Sequence, residues 1–434
     1  MGGVVAAVVV LALVDVLPTT VAPPAPATSR VSVASDGAQA DATSGLSRLS
    51  ADGRFVAFQS FAANLVPGDI NGQYDAFVHD RKTRETIRVS VSTDGSEARG
   101  YQSIQCLAIS GDGRVVAFQS SATDLVADDT NTLDDIFVHQ IDTRETTRVS
   151  VSSDGTEGNG PVLGVALNDD GRFVAFTSQA TNLVSGDMNG TMDVFVHDRR
   201  AGETTRVSVA SDGSEARGGG GGFELSLSGD GRFVAFASGS DDLVPDDRTG
   251  RPDVFVHDRE TGETTLVSRR SDGTQGDDSS WAPAISGDGR YVAFESFARN
   301  LGREVASDPW MDIFVHDRET GRTTPVSVSA DGERGNWNSY SATVSPSGRY
   351  IGFMSDANNL VPVDTNDARD SFVFDLLTGE PMRVSASSAG VEGNASSFQP
   401  SIDRAGRVVV FASVASNLVP GDTNDSGDVF ARLL

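Results

Sequence analysis

The sequence has one cysteine, little positive charge and no long apolar segment, and each shortage excludes a class of protein. Cys106 alone can form neither an internal disulfide nor a cysteine-based zinc site. With 34 Lys and Arg against 61 Asp and Glu, the net charge of −27 argues against binding to nucleic acid or to anionic membranes. The hydrophobic content of 38% still suffices for a large core, which argues against wholesale disorder.

The N-terminus has the pattern of a secretory signal. The apolar run Val4–Val14 is shorter than the roughly 20 residues that span a bilayer, and a Pro/Ala-rich stretch ending at Ala25–Ala27 follows it. We therefore expect residues 1–27 to be a signal peptide, cleaved near Ala27, on a secreted or periplasmic protein with no transmembrane anchor. No Lys or Arg precedes Arg30, so the basic start of such a signal is missing. An apolar tail on a cytoplasmic protein is the alternative.

The rest of the chain consists of seven copies of one unit, which indicates a repeat architecture. An Asp-Gly-Arg turn, or a decayed form of it, recurs at intervals of 58 to 60 residues. Its glycines are Gly53, Gly113, Gly171, Gly231, Gly289, Gly348 and Gly406. A second landmark, Asp-x-Phe, has its phenylalanines at Phe77, Phe137, Phe195, Phe255, Phe314, Phe372 and Phe430. We expect the repeats at about 38–95, 96–155, 156–213, 214–273, 274–332, 333–390, and 391–434 together with 28–37.

Each unit predicts four short strands. The first precedes the Asp-Gly turn, the second follows it, the third is of the Asp75–His79 type and the fourth of the Arg88–Val91 type. Asp-Gly between apolar runs is a strong hairpin signal, and we expect a type I′ turn there. Runs such as Phe-Val-Ala-Phe are continuous rather than alternating, which indicates strands buried on both faces. Four-stranded antiparallel sheets packed around an axis meet this demand and predict an all-β, seven-bladed β-propeller.

The two ends of the chain predict how the ring closes. The sequence opens with a lone fourth-strand motif at Arg30–Val33 and ends after a third-strand motif at Asp428–Phe430. The seventh blade therefore lacks its outer strand, and the N-terminus has a spare one. We expect the two to pair, which removes an open sheet edge and makes residues 28–434 one domain.

The repeat resembles a known family. The succession Asp-Gly-Arg, Phe-Val-Ala-Phe, Asp-Val-Phe-Val-His-Asp and Thr-Gly-Glu-Thr-Thr-Arg-Val-Ser is similar to the TolB-like, PD40-type (WD40-like) propeller repeat of bacterial proteins, over about residues 28–434. The family's Pro before Asp-Gly survives only in altered form, as Pro346, and no Gly-His or Trp-Asp dipeptide of true WD40 repeats occurs. The resemblance implies the fold. It also implies either a periplasmic interaction platform or, as in some relatives, an enzyme module.

The long loops between second and third strands carry the candidate metal ligands. Oxygen side chains at positions i, i+2 and i+6 of a loop can converge on a hard cation such as Ca²⁺. The candidates are Asp69, Asn71 and Asp75; Asp129, Asn131 and Asp135; Asp187, Asn189 and Asp193; Asp364, Asn366 and Asp370; and Asp422, Asn424 and Asp428. Blade four has Asp247, Thr249 and Asp253, and blade five keeps only Asp312. The alternative is that these residues form Asx turns that shape the loop.

Histidines and aromatic residues also stand at repeated positions. Because the histidines occur once per blade, we expect structural roles, with the ring tips meeting solvent or a turn. They are His79, His139, His197, His257 and His316. We expect a core role for the aromatics at one position of the first strand, Phe223, Trp281, Tyr340 and Phe398. The loop aromatics are candidates for contacting a sugar or a peptide: Tyr101, Trp310 and Trp337.

The sequence contains no Gly-x-Ser-x-Gly elbow and no phosphate-binding loop. The acidic loops should share one face with the inter-blade glutamates, Glu97, Glu157 and Glu215. We predict an exported, monomeric, non-catalytic binding or scaffold protein that holds a protein or glycan on this face, with Ca²⁺ as a candidate stabilising ion. The alternative is a polysaccharide-active lyase or hydrolase, with acids and arginine at the mouth of the axial channel. Blade five deviates most from the repeat, at Arg303, Glu304, Asp308 and Trp310.

Overall fold

The computed structural model describes residues 26–99, 104–302 and 309–434. All but the last two residues of the predicted signal peptide lie outside these ranges, so export stays a prediction. Four further residues named above also lie outside them: Tyr101, Arg303, Glu304 and Asp308. Within the described ranges the chain forms β-strands and no helix, and therefore no helix that could span a membrane.

The described residues form 28 strands in seven four-stranded sheets, the blades. Strand β1 is Ala27–Arg30. Blades one to four are β2–β5 (Ser44–Leu49, Phe55–Ser60, Asp75–Asp80, Glu85–Arg88), β6–β9 (Leu107–Ile109, Val115–Ser120, Asp135–Gln140, Glu145–Arg148), β10–β13 (Val162–Leu167, Phe173–Ser178, Asp193–Asp198, Glu203–Arg206) and β14–β17 (Gly220–Leu227, Phe233–Ser238, Asp253–Asp258, Thr264–Leu266). Blades five to seven are β18–β21 (Ser280–Ile285, Tyr291–Ser296, Asp312–Asp317, Arg322–Pro325), β22–β25 (Ser339–Val344, Tyr350–Ser355, Asp370–Asp375, Glu380–Arg383) and β26–β28 (Ser397–Ile402, Val408–Ser413, Asp428–Leu433) with β1.

Within each blade, neighbouring strands follow one another in the sequence, as in the order β2-β3-β4-β5. The first strand lines the central axis and the fourth is outermost. Blade seven is the exception, because its fourth strand is β1, which pairs antiparallel with β28 from Ala27↔Leu433 to Arg30↔Phe430. The predicted seven-bladed propeller and its closure by the N-terminal strand are therefore confirmed.

The fourth strands lie earlier than the sequence pattern predicted. Strand β5 covers Glu85–Arg88 instead of Arg88–Val91, and the closing strand ends at Arg30 instead of beginning there. The following segment leaves the sheet and forms a short hairpin, in which Val91 makes an isolated bridge with Glu97. Arg88 thus stays on the strand, while the hairpin brings Glu97 back towards the same blade.

The Asp-Gly hairpins form as predicted, but their turn type differs. In blade one the N–H of Gly53 donates to Ser50 O at 2.9 Å, and Gly53 has a φ of +75° whereas Asp52 does not have a positive φ. A type I′ turn needs two central residues with positive φ, so the I′ prediction was wrong. Space also demands glycine, because a Cβ at Gly113 would lie 2.2 Å from the ring of Phe55 in the preceding blade.

The hydrophobic core lies between neighbouring blades. The small side chains of Ala57 and Ala76 in blade one share a buried cluster with the large Phe118 and Phe137 of blade two. These two phenylalanines stack with their ring centroids 6.0 Å apart. Small side chains on one blade therefore make room for large ones on the next, and both faces of the strands are buried, as the continuous apolar runs indicated.

The repeated histidines link each blade to the preceding inter-blade segment. Nδ1 of His79 lies 2.9 Å from Thr86 Oγ1, and that hydroxyl donates to Val33 O at 2.6 Å. Because the hydroxyl has only one hydrogen to give, the ring must donate through Nδ1–H. The same pairs join His139, His197, His257 and His316 to a threonine. The structural role is confirmed, but all five rings are buried and do not meet solvent.

Acid should weaken the fold through these histidines. Burial lowers the pKa of His139 to about 4 from 6.5. Since the folded-state pKa lies below the unfolded one, this contribution is intact above pH 6.5 and is lost as the pH falls from 6.5 towards 4. His139→Asn keeps a polar partner for Thr146 without titrating there, so between pH 7 and 5 it should lose roughly 1–2 kcal/mol less stability than the wild type. Urea unfolding at both pH values measures this, and identical losses in the two proteins would contradict it.

Candidate functional site

The loops between second and third strands and the connections between blades emerge on one side of the ring, which we call the loop face. There, Asp69 and Asp75 of blade one meet Glu97, which the hairpin after β5 brings back. Their carboxylate oxygens lie within 4.8 Å of one another, and two further blades repeat the arrangement. We call these groups the acidic clusters: Asp69, Asp75 and Glu97; Asp129, Asp135 and Glu157; and Asp187, Asp193 and Glu215.

An arginine from the end of the fourth strand lies inside each acidic cluster. In blade one, Nη1 of Arg88 is 3.4 Å from Asp69 Oδ1, 3.6 Å from Asp75 Oδ2 and 2.5 Å from Glu97 Oε1. The guanidinium thus stands among the carboxylates, where it supplies positive charge. The corresponding arginines of other blades are Arg148, Arg206, Arg383 and, from β1, Arg30. The sequence pattern predicted this arginine on a strand and did not indicate its contact with the loops.

The predicted asparagine ligands shape the loop. Oδ1 of Asn71 accepts the N–H of Gln73 at 2.8 Å, which is an Asx turn, and its Nδ2 donates to Asp75 Oδ2 at 2.9 Å. The other asparagines accept the same backbone bond two residues on: Asn131, Asn189, Asn366 and Asn424. Their oxygens therefore face the backbone, and the inter-blade glutamate stands with the two aspartates instead. The signal for it was the Glu of the recurring Asp-Gly-x-Glu segment.

In blades four and five, other side chains donate hydrogen bonds or positive charge to the equivalent aspartates. In blade four, Gln275 takes the place of the glutamate, and its Nε2 donates to Asp247 at 2.8 Å and to Asp253 at 2.7 Å. In blade five, Arg334 stands at the glutamate position and pairs with Asp312 at 3.2 Å. A donor therefore faces the third-strand aspartate even where the pattern has decayed, which indicates that an uncompensated carboxylate is costly here.

In the three acidic clusters, three carboxylates face one guanidinium, so negative charge remains in excess. Burial, reinforced by the Asp75 carboxylate, raises the pKa of Asp69 to about 7 although Arg88 opposes the shift. Burial also raises the pKa of Asp135 to about 6. Both side-chain oxygens of Asp129 and Oδ2 of Asp135 are buried without a hydrogen-bond partner. The donor set can therefore accept further positive charge, either protons or a hard cation such as Ca²⁺.

A second feature of the ring is its axial cavity, a space of ≈ 380 Å³ lined by the first strands of all seven blades. The register between first and second strands shifts in six blades, as between Gly45 and Arg48. Four residues without the freedom of glycine take a positive φ of 44° to 51° there and line the cavity: Leu46, Ala282, Ser341 and Gln399. Such conformations cost about 1–3 kcal/mol each and gather at functional sites.

The charged and polar residues of the axial cavity differ from blade to blade. Arg48 comes from blade one, Cys106 from blade two and Glu224 from blade four. Glu224 is exposed to the space of the cavity, and desolvation by the surrounding walls raises the pKa of its carboxyl, while Arg48 opposes the shift. Behind the wall, burial and the charge of Glu224 raise the pKa of Glu295 to about 8, so this carboxyl holds its proton at pH 7. Glu295 Oε1 accepts the N–H of Ser341, one of the strained bulge residues.

The axial cavity adjoins the loop face through a second space of ≈ 540 Å³, which we call the vestibule. Glu224 and Ala282 line both spaces. The vestibule is walled by loop-face residues such as Gly218 and Pro252, and by the half-buried Trp281. A ligand entering from the loop face therefore meets an aromatic ring first and a carboxylate next.

The opposite end of the axis is narrow. The first hairpins of neighbouring blades bond to one another, as where Gly287 N–H donates to Pro346 O at 3.1 Å and Asp169 N–H donates to Gly229 O at 2.9 Å. Across the axis, Nη2 of Arg404 in blade seven pairs with Asp169 Oδ2 of blade three at 2.7 Å. The axial cavity therefore has its wider access from the loop face.

Glycine at this narrow end is required for close approach. A Cβ at Gly287 would lie 2.7 Å from the backbone oxygen of Pro346, so Gly287→Ala should push two blades apart and cost about 1–3 kcal/mol. Gly239→Ala is the matched control, because no atom lies within 4 Å of the added methyl group and φ is not positive there. Thermal unfolding of the two variants tests this, and equal melting temperatures would contradict the close packing of the turns.

The core prediction for the first-strand aromatics was wrong for Trp281, Tyr340 and Phe398, and the side chain of Phe223 lies outside what the structure describes. Trp281, Tyr340 and Phe398 are each half-buried, and each pairs with the last-but-one residue of its second strand, at the loop-face end. Trp281 lines the vestibule. The loop aromatics Trp310 and Trp337 stack on each other with centroids 4.3 Å apart, and Trp337 is 49% exposed.

Comparison with known proteins identifies the fold. No protein-family model and no curated protein sequence matches the chain. Among solved structures, an oligogalacturonate lyase in complex with manganese is similar at 14% identity, with 94% of this chain and 93% of that chain covered and a TM-score of 0.54. A putative TolB from Agrobacterium tumefaciens has 15% identity over 65% of this chain and 80% of its own, with a TM-score of 0.39. The tricorn protease has 14% identity over 90% and 33%, with a TM-score of 0.49.

At these identities the likeness concerns architecture, because propellers of one topology carry unrelated functions. The neighbours include proteins named as a lyase and as a protease. What this chain shares with the lyase is the fold. The chain therefore has the seven-bladed β-propeller fold that its repeats predicted, which is the fold that the resemblance to TolB-like repeats implied.

Proposed function

We propose that this protein is an exported, non-catalytic binding propeller that receives its ligand on the loop face, in the axial cavity. The observation that supports this most directly is the cavity itself, which adjoins the vestibule on the loop face and narrows at the paired turns on the other side. Strained bulges hold its lining in place, about half of its lining residues are polar, and its two charged residues, Arg48 and Glu224, each come from a single blade. A concave site with polar groups at fixed positions is typical of ligand binding.

The charged groups of the cavity define what a ligand must offer. Glu224 would bind a hydrogen-bond donor or a cation of the ligand near the mouth, and Arg48 would bind an acceptor of the ligand further along the axis. The −27 net charge adds a long-range attraction for cationic partners and a repulsion of polyanions. Export is supported by the apolar N-terminal run and by the periplasmic setting that the family resemblance implies.

Cys106 offers a direct test, because it is the only cysteine and lines the axial cavity. Arrays of peptides and oligosaccharides supply candidate ligands, and a ligand that enters the cavity should slow the reaction of Cys106 with a thiol reagent. Glu224→Gln should weaken that binding about tenfold or more, the loss of one charged hydrogen bond. If every array ligand leaves the labelling rate unchanged, the axial site is refuted.

We also propose that Ca²⁺ stabilises the acidic clusters of the loop face. The support is their donor set, three carboxylates within 4.8 Å with excess negative charge. The nearby guanidinium already supplies part of the positive charge, so the ion would add to it and not replace it. The proposed binding of Ca²⁺ is separate from ligand binding at the axis and is tested by melting temperatures with Ca²⁺ and with EDTA.

A polysaccharide lyase or hydrolase is the second candidate. One observation favours it: Glu224 lines the vestibule and the axial cavity, and Glu295, buried behind the wall, has its pKa raised to about 8 by burial and by the charge of Glu224. A carboxyl that holds its proton near neutral pH, close to a second carboxyl, is an arrangement that glycoside cleavage uses. Incubating each array ligand with the protein and analysing products by mass spectrometry separates the two functions. If a ligand is cleaved and Glu295→Gln abolishes the cleavage, the protein is an enzyme. If every ligand stays intact, the binding function stands.

A further inference from the structure

All three tryptophans of the chain lie on one part of the loop face, at blades five and six. Trp281 is the second residue of the first strand of blade five, Trp310 stands two residues before its third strand, and Trp337 stands two residues before the first strand of blade six. Tyr340 occupies in blade six the position that Trp281 has in blade five. We call these four residues the aromatic rim. Trp310 and Trp337 come from two other positions of the repeat, so the blade period alone does not account for the rim.

The rim is held in place by specific bonds. Met311 N–H donates to the Asn338 side chain at 2.8 Å, and Ser339 N–H donates to Met311 O at 2.8 Å. These two bonds fasten the segment that carries Trp310 to the segment that carries Trp337, and the two indoles stack at 4.3 Å. An exposed ring pair with a fixed backbone offers contact area at little further cost in conformational entropy.

Around Tyr340 and Trp337 the surroundings of the rim are polar. Arg369 lies over the ring of Tyr340 at 4.5 Å and pairs with Asp356 at 2.8 Å. The exposed amide of Asn336 stands next to Trp337 in the chain. Flat apolar rings bordered by amides and charged groups suit a molecule with apolar faces and a polar edge. A pyranose ring has that character, with C–H groups on its faces and hydroxyl groups around its edge.

We propose that the aromatic rim and the vestibule bind an oligosaccharide that is uncharged or carries amines. Sugar rings stack on the tryptophans, and the end of the chain enters the vestibule past Trp281 to Glu224. The carboxylate there accepts from a hydroxyl or an ammonium group, and it repels a carboxylated sugar, as does the acidic loop face. This inference rests on the proposed binding function and names its ligand class.

Because every tryptophan belongs to the rim, intrinsic fluorescence of the full chain reports on it directly. Titrations use four probes: a hexamer of N-acetylglucosamine, a glucosamine hexamer, cellohexaose and an oligogalacturonate. We expect a saturable change with at least one of the first three and none with the oligogalacturonate. Trp337→Ala should lower the affinity about 30-fold, as loss of an aromatic anchor does, and Trp337→Phe should retain most of it.

The matched control is Phe61→Ala, which removes a 44% exposed ring that packs edge-on against Tyr74 in blade one, away from the rim. Its affinity should stay within about twofold of wild type, a change under 0.5 kcal/mol. Equal weakening by Phe61→Ala, a preference for the oligogalacturonate, or no response to any sugar would each overturn the inference. In that event, a peptide that still slows the labelling of Cys106 would support the axial binding function without the sugar. If neither the fluorescence nor the labelling responds to any ligand, the axial binding function is refuted as well.

Discussion

A chain that begins at Val31 should unfold at a temperature about 5 °C or more below that of a chain that begins at Pro26. The five residues removed contain β1, the outer strand of blade seven. Without them β28 becomes an open sheet edge, and the only link between the first and last blades through a shared sheet is lost. No other strand can replace β1 in closing the ring.

The side chains of β1 make the loss larger than its length suggests. Arg30 pairs with Asp422 and Asp428 at 3.1 Å each, and the Asp428 side chain is fully buried. Thr28 Oγ1 donates to Ala386 O at 2.6 Å, and Arg432 donates to Thr28 Oγ1 at 2.9 Å. Leaving the two carboxylates without their guanidinium costs about 3–5 kcal/mol by itself. At about 1 °C per kcal/mol for a chain of this size, the lost ion pairs lower the melting temperature by about 3–5 °C, and the lost strand pairing of β1 adds to this.

Thermal scans of the two chains measure the effect. A synthetic peptide of residues 26–35 should raise the melting temperature of the shortened chain in a concentration-dependent way, because it binds the folded ring only. A scrambled peptide of the same composition is the control and should leave it unchanged. If the shortened chain melts with the longer one, the ring does not depend on its N-terminal strand.

The repeated features of this protein could be predicted from the sequence because each recurs along the seven repeats. A single Asp-Gly or Phe-Val-Ala-Phe is a weak signal, but their common period fixed the number of blades, the order of strands and the closure. Strand ends were less secure. Arg88 and the residues after it continue an extended, apolar-looking pattern. Val89 N–H still bonds Ala76 O in the β4–β5 register, but the chain then leaves the sheet and Val91 bridges to Glu97, which no local preference reveals.

The acidic clusters were only half visible in the sequence. Asp69 and Asp75 stand six residues apart in one loop, so their meeting could be anticipated. Glu97 reaches them only after a further strand and a hairpin, and Arg88 enters from the sheet edge. Long-range partners of this kind depend on how the hairpin folds back, and spacing along the chain does not state it.

A site at the axial channel was an alternative from the sequence, but its residues could not be predicted, and the reason is the same repetition. Groups that line an axis act together from different blades, so Arg48, Glu224 and Arg404 each appear once and look like decay of the repeat. Their significance depends on the bulges, which turn residues such as Ser341 inward at a positive φ. A repeat pattern describes what the blades share, whereas a site on the axis is formed from what they do not share.

Arg148→Met should lower the stability of the chain by about 3–5 kcal/mol in EDTA, because it leaves a buried acidic cluster without its cation. The Arg148 side chain is 4% exposed, and its Nη1 lies 3.6 Å from both Asp129 Oδ1 and Asp135 Oδ2. It also pairs with Glu157. Methionine keeps most of the volume, so the loss reflects charge and not a cavity.

Calcium should then restore part of what the substitution removes. In the wild type we expect millimolar Ca²⁺ to raise the melting temperature modestly, since the guanidinium shares the three carboxylates. In Arg148→Met the same carboxylates are free of that competitor and keep their oxygen donors at a spacing that suits Ca²⁺. The gain on adding Ca²⁺, and its reversal by EDTA, should be larger in the variant than in the wild type.

The control for this experiment is Arg54→Met. Arg54 forms a two-point pair with Asp80 at 3.0 and 2.6 Å in the same kind of blade, but away from the acidic clusters and with its side chain 38% exposed. Its loss should change the melting temperature little, as for other solvent-accessible pairs, and the change should not depend on Ca²⁺. If Ca²⁺ shifts neither Arg148→Met nor the wild type, the acidic clusters hold no metal. The recurring Asp-x-Asn loops then serve to fasten each third strand to the arginine and glutamate of the next connection.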